Sequence, residues 1–134
     1  LGPIGETAPR YRATSLNREA PLGFAAVDVD YYSSAREALN LLTDPDAGKY
    51  LFLPILYFDD IVLANYSDWT GELLAINEFN AEHPNRKIQQ DRFLRSRRLF
   101  KNARWIDQIY LLHLFDHPQL KVTRDRREMP NVYL

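Results

Sequence analysis

Apolar positions in this chain fall into continuous runs and helical-period runs, and these predict its elements in order. LGFAAVDV (22–29) is short, apolar and bounded by Pro21 and Asp30. Its length and unbroken character predict a strand buried on both faces. YLFLPILYF (50–58) is a second such run, but a central strand resists proline, so Pro54 limits the regular strand to 55–58. Between them lies SAREALNLL (34–42), where Ala35, Ala38, Leu39 and Leu42 recur at helical spacing, with Ser33 and Ser34 as capping candidates. TDPDAGK (43–49) and IVLANYSDWT (61–70) read as loops. GELLAINEFNAEH (71–83) predicts a helix with Leu73, Leu74, Ala75, Ile76 and Phe79 inward and Glu72 and Glu78 on its surface. The polar, basic stretch 85–104 predicts only a short strand at 87–89, and WIDQIYLLHLFDH (105–117) a strand at 109–115. Upstream, Thr7 is expected to cap a short helix with Pro9 near its first turn, followed by a loop over 15–21. The charged tail from Pro118 is expected to be peripheral.

The resulting order, strand–helix–strand–helix–strand–strand, predicts an α/β domain with a parallel sheet flanked by helices and a right-handed crossover between its first two strands. A length of 134 residues suits a single domain, 1–134. A net charge of −1 argues against a general nucleic-acid or membrane-surface binder. With 46% hydrophobic and 26% charged residues the chain is too apolar to be disordered. It has no cysteine, hence no disulfide framework, zinc–thiolate site or thiol nucleophile. No apolar run reaches the ~18 residues of a membrane span, and no secretory signal is visible, so the expectation is a soluble cytoplasmic protein. LGPIGETAP at the start reads as the middle of something longer, which predicts a fragment.

Chemistry concentrates at two places. Asp28 and Asp30, in D-V-D, end the first apolar run, and Asp59 and Asp60 end the second. In an open parallel sheet ligands bind beyond the carboxyl ends of the strands. If the strands are neighbours, a spacing of ~4.8 Å brings both groups into one cleft. Asp28 and Asp30, two apart in an extended segment, point to the same side. Two unit charges ~4 Å apart repel by about 4 kcal/mol at an effective dielectric of ~20. Protonation or a bound cation must offset that, and a hard, oxygen-preferring ion such as Mg²⁺ is the simplest answer. The blander alternative is that both motifs are strand-end turn residues.

F-A-A-V-D-V-D-Y-Y-S-S-A-R-E-A-L (24–39) followed by L-P-I-L-Y-F-D-D-I (53–61) resembles the macrocin O-methyltransferase family, class I, S-adenosylmethionine-dependent, metal-dependent sugar O-methyltransferases. The likeness covers about residues 20–80, with G-E-T-A-P at the start similar to the segment after that family's third strand. It departs in the paired Tyr31 and Tyr32, in Ser34 where threonine is usual, in lacking the P-G-G before the fifth strand, and in Pro54. The resemblance implies a partial Rossmann-like class I methyltransferase sheet, strands four to seven with flanking helices. It implies Asp28, Asp59 and Asp60 as metal ligands, Asp30 as general base, and Tyr31, Tyr32 and Ser33 on the substrate side. Such a chemistry is coherent, because a sugar hydroxyl is barely ionised at neutral pH, and a cation lowers its pKa while a carboxylate takes the proton. The Gly-rich turn and acidic residue that hold the cofactor are absent, so cofactor-binding residues are expected in a missing amino-terminal half. The chain alone would then be inactive and expose the flank of its first strand, predicting partner pairing or a homo-oligomer.

Other signals read more plainly. His113 and His117, four apart, read as structural. The basic stretch Arg92, Arg95, Arg97, Arg98, Lys101 and Arg104 interleaves with apolar residues, and reads as a solvated amphipathic face, or as a contact for phosphate, including that of a nucleotide-sugar. Trp69 and Trp105 read as packing residues, with Trp69 placed to serve as a lid. Two further functions stay open: a metal-dependent nucleotide-sugar glycosyltransferase using the D-x-D, and a non-catalytic α/β scaffold whose carboxylates only cap.

Overall fold

The structure, a computed structural model, describes residues 2–62 and 67–120. Its elements are α1 (Ile4–Thr14), β1 (Leu22–Val27), α2 (Tyr32–Leu39), β2 (Tyr50–Phe58), α3 (Gly71–Glu82), β3 (Arg86–Gln90), the single turn α4 (Leu94–Arg97) and β4 (Ile109–Leu114). Short 3-10 turns cover Asn40–Leu42, Ala47–Lys49, Asp60–Val62 and Arg104–Gln108. Residues 63–66 of the 61–70 loop and the tail beyond 120 lie outside the described residues.

The strands form one four-stranded sheet in the order β1-β2-β4-β3. β1 and β2 are parallel, whereas β4 runs antiparallel to both β2 and β3. The sheet is therefore mixed, not parallel as the alternation predicted. The 3-to-4 connection carries only one helical turn and a 3-10 turn, too little for a regular crossover helix, so β4 returns in the opposite direction. Two antiparallel steps leave β3 parallel to β1 and β2.

Leu39, Leu42, Leu56, Phe58, Ile76, Phe79, Ile88 and Leu112 share one buried cluster in which α2 and α3 cover one face of the sheet. The other face is open at β1 and β2, where Phe24 and Ile55 stay 58% and 42% exposed. β1 is consequently not buried on both faces as predicted: it is an edge strand with alternating burial, and it ends at Val27 rather than at 29. An apolar groove of about 420 Å³ runs between α1 and β1, lined by Ile4, Ala8, Tyr11, Phe24 and Ala26 among others.

Pro54 does not shorten β2, which spans all of 50–58. The β1–β2 register jumps from Leu22↔Tyr50 to Phe24↔Ile55, and pairing with β4 begins only at Ile55. Pro54 thus sits in an irregularity where its missing N–H breaks no rung, as proline in sheets requires. Ser33 and Ser34 do not cap α2, whose N-cap is Tyr31 without a side-chain bond. α1 begins before Thr7, at Ile4, and carries Pro9 inside it. Gly71 opens α3 at φ 54°, a left-handed value that favours glycine.

On the outer edge of β3 one side chain pairs both backbone groups of Ile88. Asn80 on α3 donates from Nδ2 to the Ile88 carbonyl (2.8 Å) and accepts from the Ile88 N–H at Oδ1 (2.7 Å). Asn80→Ala leaves both backbone groups of a buried residue unpaired. A loss of about 1–3 kcal/mol is expected, read as a lower urea midpoint with an unchanged slope.

Candidate active site at the carboxyl end of the sheet

The last β1–β2 register pair is Val27↔Phe58, and the ladder extends one step further through the Asp59 N–H to the Val27 carbonyl at 3.1 Å. Asp28 and Asp59 are thus the first residues beyond two hydrogen-bonded parallel neighbours, at the same end of the sheet. Asp30 and Asp60 follow within two residues. Asp28 and Asp30 are exposed, Asp59 and Asp60 half-buried. Asp28 and Asp30 lie beyond the end of β1, so the strand alternation invoked for them does not apply.

Local bonds fix Asp59. The Tyr57 hydroxyl donates to Asp59 Oδ1 at 2.5 Å. The Gln108 amide donates to the Asp59 carbonyl at 2.5 Å and lies 3.4 Å from Oδ1. Tyr57 is pushed above its ordinary pKa, first by its bond to the Asp59 carboxylate. Gln108 stands just before β4, so the β3–β4 connection holds Asp59 from the far side of β2.

Behind the pair is Glu72, in the first turn of α3. It is not the surface charge the sequence predicted: its side chain is completely buried. One carboxyl oxygen, Oε2, accepts from the Asp60 N–H at 3.2 Å, and the other, Oε1, is buried with no hydrogen-bond partner among the described residues. Burial raises its pKa to about 7, and the charges of Asp60, Asp59 and Asp28 add to that. Asp60 is raised too, first by desolvation and then by Asp30, Asp59 and Asp28. The carboxylates therefore feel one another as a group. Glu72 has a sequence signal in retrospect: with Ala75, Ile76 and Phe79 it occupies the i, i+3, i+4, i+7 stripe that α3 buries.

The donor chemistry suits a hard divalent cation, and an orphaned buried oxygen stands behind it. The geometry is not closed: among the described residues no three His, Cys, Asp or Glu side chains stand together closely enough to hold a metal ion. Asp28, Asp59 and Asp60 are brought to one end of the sheet without being assembled into a ligand set.

On the expected substrate side, Tyr31 is 72% exposed and Ser33 is exposed in the first turn of α2. Tyr32 donates instead to Glu78 Oε2 at 2.5 Å, and Arg36 bonds the same oxygen and Glu82 Oε1 (2.7 Å to the latter), so these residues join α2 to α3. Trp69 is 79% exposed rather than packed. His117 is buried, its Nε2 3.1 Å from the Tyr50 carbonyl, and His113 is half-buried on β4 and lowered in pKa by desolvation. No helix among the described residues is long and apolar enough to cross a membrane. Compared with protein-family models, curated proteins and solved structures, the chain matches none.

Proposed function

We propose that the chain is the acceptor-side half of a class I S-adenosylmethionine-dependent O-methyltransferase that methylates a hydroxyl of a sugar or other small polyhydroxylated molecule. The observation that carries this reading is the juxtaposition of Asp28 and Asp30 with Asp59 and Asp60 beyond the carboxyl ends of two parallel, paired strands. Sheet order supports it as well. A reversed last strand inserted between the two before it suits strands four to seven of a class I methyltransferase sheet. The open edge of β1 and the apolar groove beside it offer the flank on which a cofactor-binding half would pair.

When bound, S-adenosylmethionine would supply the methyl group and a divalent cation such as Mg²⁺ would lower the pKa of the acceptor hydroxyl; Asp28, Asp59 and Asp60, which share one end of the sheet without forming a closed ligand set, would have to draw together to hold it. Asp30, exposed next to these groups, is the residue to take the hydroxyl proton. Tyr57 and Gln108 keep Asp59 in one orientation, which is the pre-organisation such a step needs. Tyr31 and Ser33 present a phenol and a hydroxyl on the solvent side for the acceptor.

The test is transfer of a labelled methyl group from S-adenosylmethionine to polyhydroxylated acceptors by the full-length protein, with and without a chelator. Transfer that the chelator abolishes and Mg²⁺ restores is expected. Turnover of a nucleotide-sugar without any methyl transfer would assign the D-x-D to glycosyl transfer instead. The absence of both reactions, and of Mg²⁺ binding by calorimetry, would leave a scaffold.

A further inference from the structure

Because β3 runs parallel to β1 and β2, its carboxyl end lies at the same end of the sheet as the four aspartates, and so does the connection 91–108 that follows it. Gln108, the last residue of that connection, donates to the Asp59 carbonyl. Within the connection, Arg92 to Arg104 holds six cations and no acidic residue. Since the whole chain is at −1, the remainder is distinctly acidic.

An amphipathic surface turn would bury its apolar residues and solvate its charges. This segment does not. Leu94 alone is buried, while Phe93, Leu99 and Phe100 are 64%, 95% and 81% exposed between the cations. Arg95 is paired with Asp107, and Arg98 lies 5.5 Å over the Trp105 ring. Arg92, Arg97, Lys101 and Arg104 form no ion pair among the described residues. Exposed guanidinium forks and an ammonium suit phosphate oxygens, and bare aromatic faces suit a flat ring.

We infer that the 91–108 connection is a binding arm for a phosphate-bearing acceptor, and that a nucleotide-linked sugar is the class it takes. The inference rests on the methyltransferase reading for its word "acceptor" and deepens it. Such a molecule carries phosphates for the cations, a base for Phe93 or Phe100, and sugar hydroxyls for the carboxylate end. The same connection fits an anionic lipid surface less well, because a continuous anionic surface would meet the aspartates at that end of the sheet as well as the cations, whereas a nucleotide-linked sugar can turn its neutral sugar toward the carboxylates.

Uridine diphosphate and uridine, titrated into the protein with no S-adenosylmethionine present and followed by calorimetry, test this. Saturable binding of the diphosphate is expected, at least tenfold tighter than uridine and weakening as salt rises. The double variant Arg97→Glu, Lys101→Glu, at two exposed positions, should weaken it at least tenfold, and Phe100→Ser should weaken uridine as well. An unchanged affinity in the double variant overturns the inference. So does binding to phosphatidylglycerol-containing vesicles without binding of the diphosphate. If the diphosphate binds through the arm but no methyl transfer is found, the inference stands as a nucleotide site and the methyltransferase reading falls. If methyl transfer proceeds on phosphate-free sugars and the diphosphate neither binds nor competes, that reading stands and the inference falls.

Discussion

Phe58→Ala is expected to cost about 3–5 kcal/mol, a large fraction of the about 5–15 kcal/mol that holds a typical domain folded. Phe58 is fully buried at the last paired position of β2, and its ring meets Tyr110 of β4 edge-on with centroids 5.2 Å apart. Truncation loses the transfer energy of the ring and opens a cavity between the central strands, where α2 and α3 leave little room to collapse. Phe24→Ala makes the control. Phe24 has the same chemistry, but it is 58% exposed on the open face of the edge strand, so its loss should fall within about 1 kcal/mol. Urea midpoints of the two variants read the difference directly. Equal midpoints would mean that the open face of β1 is covered in solution, by a partner or by further chain.

That contrast also shows what the sequence could and could not reveal. Phe24 and Phe58 sit in equally apolar runs, and the runs place strands well: β1, β2 and β4 form within them, β2 over its whole run rather than from 55, while β3 lies in a polar stretch near its expected place. Burial and direction are different matters, because they depend on which strands end up adjacent. β1 keeps one face open, as β2 does at Ile55, and β4 turned antiparallel because the chain between Gln90 and Ile109 forms no crossover helix. The acidic end was legible because it needs only strand ends and parallel pairing, both local consequences of the strand–helix–strand order. Gln108 was not, since its role depends on β4 lying beside β2, 49 residues away in sequence from Asp59. Pro54 misled for the same reason: the jump in register that accommodates it is a property of the pair, not of the run. The exposed Phe93, Leu99 and Phe100 likewise look like the buried half of an amphipathic pattern until burial is known.

Glu72 carries the strongest dependence on pH. Unfolded, its carboxyl titrates near its ordinary 4.5; folded, burial raises it to about 7. Between those values the native state binds more protons than the unfolded chain, so stability falls as pH rises. Below the lower value both states are protonated and Glu72 imposes no penalty. Above the upper value the native state must hold a buried carboxylate with one oxygen unpartnered and Asp59 and Asp60 beside it, and the full deficit, on the order of 3 kcal/mol, is present. Glu72→Gln keeps the shape and an oxygen to accept the Asp60 N–H, and it removes the charge. It should leave stability nearly unchanged at pH 4.5 and raise it by up to about 3 kcal/mol at pH 8, as urea midpoints at the two values would show. A neighbouring cation changes the sign of the argument. Positive charge beside Asp59 and Asp60 would offset their repulsion and favour ionised Glu72. Adding Mg²⁺ at pH 8 should then stabilise the native protein and narrow the gap between it and Glu72→Gln. A gap that persists unchanged at saturating Mg²⁺ would mean that no cation settles at this end of the sheet.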